Sequence, residues 1–221
     1  MNYVFHFGAI LERWPELLYG AWRTMELTVI SCAAGFVIGL AGALARSFGP
    51  AWLRRLVGVY VEVIRNTPLL VQLYFFFFSL PLMGLRLSSD QAAILALSIH
   101  LGAYATEILR AGVEAVPAGQ VEAAKSLGLS RWQIIRFVVI VPALRAVYPS
   151  LTSQFVLQLL GTSIVSAIAA EELTAIANNM AMQTFRNFEI YIVIAVIYFV
   201  LVQACSLVFR LLSRILFRWK A

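Results

Sequence analysis

The sequence predicts an all-α integral membrane protein with five transmembrane helices. Composition, charge-free apolar stretches and an alternating pattern of basic residues carry that expectation. Of 221 residues, 62% are apolar and only 13% are charged. A water-soluble domain carries about 25% charged residues. Too little polar side chain is therefore present to cover a globule in water, and lipid must supply part of the solvent.

A helix needs about 20 apolar residues to cross the hydrocarbon core of a bilayer. Residues 27–45, 66–85, 146–170 and 190–209 contain no acidic or basic side chain. Residues 91–106 are shorter, but extend through Glu107 if that carboxylate faces protein. In chain order these are spans one to five. The first carries Gly35, Gly39 and Ala43, small residues four apart on one face, where two helix backbones can approach closely. Within the second, Phe75 to Phe78 predicts a surface turned to lipid or to another subunit.

Basic residues orient the spans. Arg46, Arg54 and Arg55 lie between spans one and two. Arg110, Lys125, Arg131, Arg136 and Arg145 lie between three and four, and Arg210, Arg214, Arg218 and Lys220 follow span five. The opposite side holds Arg13, Arg23, Arg86 and Arg186. Twelve against four places the N-terminus outside and the C-terminus in the cytoplasm. The net charge of +6 thus sets orientation and does not point to nucleic acid. The N-terminus lacks a basic stretch, apolar core and small-residue cleavage site, so no removable signal peptide is expected. Cys32 and Cys205 sit in apolar runs without nearby ligands, which predicts packing residues, with neither a disulfide nor a metal site.

The cytoplasmic connection, residues 111–145, is far longer than a turn. Pro117 suits the first turn of a helix. Residues 119–127 follow with good helix formers and an apolar stripe at Val121, Ala124 and Leu127. Gly128 suits a left-handed terminator. Ser130 with Gln133 forms a capping-box pattern opening a second helix over residues 131–139. Two short amphipathic helices then meet at a corner. Such a knob fits a groove in another protein or an anionic lipid surface, and the pattern alone leaves both open.

Longer strings add to the pattern. Glu122-Ala123-Ala124 followed by Gly128 resembles the EAA signature of ABC-transporter permeases. Tyr104-Ala-Thr-Glu-Ile-Leu-Arg110, Val116-Pro-Ala-Gly-Gln120 and Ser126-Leu-Gly-Leu-Ser-Arg-Trp-Gln133 resemble the polar amino-acid branch of that family. So do Glu62-Val-Ile-Arg-Asn-Thr-Pro-Leu-Leu-Val-Gln72 and Thr184-Phe-Arg-Asn-Phe-Glu189. The resemblance runs from about residue 20 to residue 215.

It implies a type I ABC importer permease: a single transmembrane domain over residues 1–221, in the bacterial cytoplasmic (inner) membrane, with residues 111–145 as its coupling loop. Glu122, Ala123, Ala124, Gly128, Ser130 and Arg131 would then meet an ATPase. The implied partners are two ABC ATPase subunits, a second permease chain (identical or homologous), an outer substrate-binding protein and the lipid bilayer, without nucleic acid. ATP and magnesium belong to the partner subunits, and the chain itself binds no cofactor or metal. The family usually places a proline directly after the valine-valine-leucine that follows the second loop helix; here Val141 stands there and Pro142 comes one residue later. A charged residue expected before Thr162-Ser163 is replaced by Leu160 and Gly161, which disfavours a cationic solute held there.

Polar side chains at membrane depth face a bundle interior or a wet path. The candidates are His100, Glu107, Gln154, Gln158, Thr162 and Ser163. Gln154 and Gln158 are four apart, on one face, and His100 and Glu107 are seven apart. They are expected to meet a zwitterionic amino acid or to hydrogen-bond between helices. Glu107, three before Arg110, favours an ion pair within its own helix. No nucleophile elbow, metal-ligand spacing or phosphate-binding glycine loop points to an enzyme. The alternatives are a permease for another small solute, a stand-alone channel or a secondary carrier.

Overall fold

A computed structural model describes residues 4–217, and among them every regular element is helical. The principal helices are α1 (Trp14–Phe48), α2 (Ala51–Arg65), α3 (Leu69–Tyr74), α4 (Ser89–Glu114), α5 (Ala118–Ser126), α6 (Arg131–Ile168), α7 (Leu173–Thr184) and α8 (Asn187–Leu216). α1, α4, α6 and α8 are each long and apolar enough to cross a membrane. A fifth crossing is obtained when Ala51–Arg65 and Leu69–Met83 count as one span bent by 107°. Arg218 and Lys220, used above to orient the C-terminus, lie outside the described residues.

Several sequence expectations change. α2 was expected as a mere connection, yet it is a helix of 15 residues. Arg65, absent from the charge count, ends it. After α3 the chain widens into a π-helical turn at Phe75–Ser79 and tightens into a 3₁₀ turn at Leu80–Met83. Phe75 and Phe78 are exposed there, as expected, whereas Phe76 and Phe77 pack inward on buried apolar residues. α7 lies where no helix was anticipated.

The chain divides into two compact units. The first comprises Met1–Cys32, Pro68–Leu97 and Val156–Val208. Its core includes Leu17 of α1, Leu173 and Met180 of α7, and Ile190 of α8. A second cluster joins Leu27, Leu73, Leu97 and Val165. Glu172 caps α7, accepting the amides of Thr174 (2.9 Å) and Ala175 (2.7 Å), and its carboxylate also accepts from the Tyr198 hydroxyl at 2.7 Å. Arg23 ion-pairs with both Glu26 and Asp90. Cys32 and Cys205 are free thiols, half-buried.

The second unit comprises Ala33–Thr67, Ser98–Phe155 and Phe209–Ala221. The small residues of α1 do the work expected of them inside the chain. A Cβ at Gly35 would lie 2.8 Å from Cβ of Leu101, and one at Gly39 would collide with Ala105. Ala43 is buried against Leu109 and Val147. Gly42, four before Arg46, sits as tightly against Thr106. Close backbone approach therefore joins the α1 and α4 segments of this unit.

Candidate functional site

The coupling-loop residues all belong to the second unit. Pro117 is the N-cap of α5, one position before the first helical turn. Its fixed φ and missing amide hydrogen suit that position as well. Glu122 and Ala123 are exposed, but Ala124 is buried with Ile134 and Val139 in a small core of the loop's own. That core explains the apolar stripe only in part, because Leu127 is 79% exposed.

Gly128 has φ +77°, the left-handed conformation that glycine adopts without Cβ strain. The corner is closed by amide hydrogen bonds from Gly128 to Lys125 O (2.9 Å) and from Leu129 to Ala124 O (3.2 Å). Ser130 and Gln133 form the reciprocal capping box, with the Ser130 amide donating to Gln133 Oε1 at 2.8 Å. Arg131, the first helical residue, is exposed.

The second loop helix does not stop before span four. From Arg131 the chain passes through a π-helical stretch, Ile134–Val139, into Ile140–Gly161 without a break, so loop and span form one rod. Pro142 and Pro149 are accommodated within it. The sequence pattern correctly marked where this helix starts but placed its end too early.

The candidate path residues are divided between the two units. His100, Glu107 and Gln154 belong to the second unit; Gln158, Thr162 and Ser163 belong to the first. Gln158 is buried, and its Nε2 donates to Leu97 O at 2.8 Å and to Ser31 Oγ at 3.4 Å. Thr162 is buried and bonds back to Leu159 O at 2.7 Å. Ser163, half-buried, bonds to Leu160 O at 2.7 Å. Gln154 is half-buried.

In the second unit the polar groups converge. Glu107 pairs with Arg46 and with Arg110 (2.9 Å), and Arg110 also pairs with Glu114. The expected pairing within one helix is present, but Arg46 makes it a network joining α1 to α4. The His100 ring lies tilted against Tyr104, centroids 5.0 Å apart, and the Arg65 guanidinium lies 5.2 Å from the Tyr104 centroid. A cavity of about 330 Å³ opens here, lined by Arg46, Glu62, Arg65, Asn66, Tyr104 and Glu107, together with Val61.

Arg46, Glu62, Arg65, Asn66 and Tyr104 were not among the path candidates. Glu62, Arg65, Asn66 and Tyr104 sit in motif strings that signalled family without position, and the α2 helix that aligns them was not anticipated. Two cations and two carboxylates, drawn from α1, α2 and α4, line this cavity, charges of both signs such as the two ends of a zwitterion require. Among the described residues, no group of three or more His, Cys, Asp or Glu could hold a metal ion.

Comparison with known proteins identifies the family and the fold. Residues 35–219 match the family described as binding-protein-dependent transport system inner membrane component. The chain is similar to the glutamine transport system permease protein GlnP of Escherichia coli (strain K12), 38% identical over 213 residues, 95% of this chain and 97% of that protein. It is similar to the L-cystine transport system permease protein TcyB of Bacillus subtilis (strain 168), 36% identical over 94% of this chain and 89% of that one. A solved structure of an amino acid ABC transporter with histidines superposes with a TM-score of 0.89 at 36% identity, covering 96% of this chain and 99% of the other.

Proposed function

The chain belongs to the family of binding-protein-dependent transport system inner membrane components, and from that premise we propose that it moves a polar amino acid, or a derivative of one, inward through an ATP-driven importer. It does so as one of two permease chains, with two ATPase subunits inside and a substrate-binding protein outside. It hydrolyses nothing itself, and ATP and magnesium are held by the partners. Its N-terminus lies outside and its C-terminus inside, in keeping with the excess of basic residues on the inner side.

The observation that carries the solute class is the cavity lined by Arg46, Glu62, Arg65, Asn66, Tyr104 and Glu107. Arg46 and Glu107 largely satisfy one another. Glu62 and Arg65 remain opposite in sign on the same helix, with Asn66 beside them. A free amino acid offers an ammonium to Glu62 and a carboxylate to Arg65, and Arg65 is held over Tyr104 in readiness. Gln158 braces helices in the first unit, Thr162 bonds back within its own helix, and neither grips solute.

Coupling follows from the loop. Glu122 and Ala123 present an exposed face, Ala124 ties that face to the loop core, and Gly128 fixes the corner. Ser130 and Arg131 open a helix continuous with span four. A displacement imposed at α5 by the ATPase reaches that span through the rod, without a flexible linker to absorb it.

Uptake of labelled glutamine by membrane vesicles holding the whole transporter tests the solute class. Competition by neutral amino acids, with KM raised at least tenfold by Arg65→Gln and by Glu62→Gln at equal expression, is the expected outcome. Competition by sugars or peptides in place of amino acids contradicts it.

A further inference from the structure

α2 divides its circumference into three sectors, and only two are accounted for by the chain and by water. At 100° per residue, Tyr60, Val61 and Ile64 share the sector packed on the protein. Val61 is 2% exposed, and the Tyr60 hydroxyl donates to Ile99 O at 2.7 Å. Arg54, Glu62 and Arg65 share a polar sector. The third sector is apolar and uncovered. Trp52, Leu56, Val59 and Val63 recur at intervals of four, three and four, and are 68%, 61%, 58% and 54% exposed.

At 15 residues α2 is about 22 Å long, short of the roughly 30 Å hydrocarbon core. It is tethered at both ends, since α1 finishes at Phe48 and the next apolar helix opens at Leu69. The chain turns by 107° between α2 and Leu69–Met83, so α2 suits the membrane surface and the fifth crossing is then left to residues 66–85. Arg55 is exposed on the border between the uncovered stripe and the polar sector. Among the described residues neither Arg54 nor Arg55 forms an ion pair. A cation without an acid, at the edge of an apolar stripe that carries a tryptophan, is complementary to an anionic headgroup above acyl chains.

The geometry points to α2 as an interfacial helix: Trp52, Leu56, Val59 and Val63 enter the acyl boundary of the inner leaflet, and Arg55 binds the phosphate of an anionic lipid. This leaves Glu62 and Arg65 on the sector that lines the polar cavity, so the lipid surface sets the orientation of that wall. The inference concerns a surface distinct from the coupling loop and does not depend on which solute is carried.

The test uses the whole transporter in nanodiscs containing phosphatidylglycerol and phosphatidylcholine, with Cys32→Ser and Cys205→Ser as background. Nitroxide labels are placed by Leu56→Cys and, separately, by Arg54→Cys. The Leu56 label is expected to collide with oxygen more than with a water-soluble nickel complex, and the Arg54 label the reverse. Phosphatidylglycerol retained per complex, counted by native mass spectrometry, is expected to bind about fivefold more weakly in Arg55→Gln, since one basic residue at the surface contributes on the order of 1 kcal/mol. A Leu56 label open to the nickel complex, or broadened by the same label on a second copy, overturns the lipid assignment. Unchanged phosphatidylglycerol binding in Arg55→Gln overturns the headgroup contact. The label measurement keeps Arg55 intact, so poor assembly of the Gln variant does not decide the matter.

Discussion

Gln158 Nε2 donates to the backbone carbonyl of Leu97 at 2.8 Å, with Ser31 Oγ as a second acceptor at 3.4 Å. Through these bonds it joins α6 to α4 and α1 within the first unit. Interhelical hydrogen bonds of this kind contribute about 0.6–2 kcal/mol. Gln158→Leu is expected to lower the melting temperature of the purified complex while uptake per folded molecule stays within about twofold. A large rise in KM at unchanged stability would instead put Gln158 on the solute.

Glu107 joins Arg46 on α1 to Arg110 on its own helix. Removing the carboxylate leaves the partly buried Arg46 guanidinium without its acid and Arg110 with Glu114 alone, at a cost on the order of 2 kcal/mol. Glu107→Gln and Arg46→Gln are each expected to destabilise the complex, and the double variant less than their sum. A double-mutant cycle on thermal unfolding measures that coupling. Strict additivity contradicts the network.

Close packing along α1 is open to a paired test. Gly39→Val drives a branched side chain into Ala105 and is expected to cost at least about 1–3 kcal/mol, with loss of assembled protein. Gly119 in α5 has open space around it, so Gly119→Ala is expected to be neutral or stabilising by at most about 1 kcal/mol. Yield and melting temperature of the two variants check the contrast.

Glu172 supplies a pH dependence. Burial pushes its carboxyl above the usual range, outweighing the Thr174 and Ala175 amides and the Tyr198 hydroxyl that favour the ionised form. The fold therefore prefers the neutral acid. The resulting stabilisation is complete below the unfolded value of about 4.3 and is lost as pH rises through the folded value. Melting temperature is expected to fall across that window, and Glu172→Gln is expected to flatten the profile. Parallel profiles for the two proteins would contradict the assignment.

Much of this was legible in the sequence because the signals were local. Charge-free length marked the long apolar helices, Gly128 and the Ser130–Gln133 pair marked the corner of the loop, and Gly35, Gly39 and Ala43 marked a seam. What escaped depended on distant partners. Arg54 and Arg55 read as loop charges and Arg65 was left out of the count, which concealed α2, whose apolar residues split between a packed and an uncovered side. Ala124 lay in the expected apolar stripe, but the partners that bury it, Ile134 and Val139, belong to the next helical stretch. The Arg46–Glu107 pair spans 61 positions, beyond the reach of any helical spacing rule.

The central claim is that α5 and the Gly128 corner couple this chain to an ATPase. The direct measurement is co-purification of the chain with its partner ATPase and permease, followed by ATPase assay of the complex with and without Glu122→Arg or Gly128→Trp. The unaltered complex is expected to form, and either substitution to break it or to lower solute-stimulated hydrolysis at least tenfold. A chain that purifies alone, ignores the ATPase and still conducts solute in liposomes would contradict it.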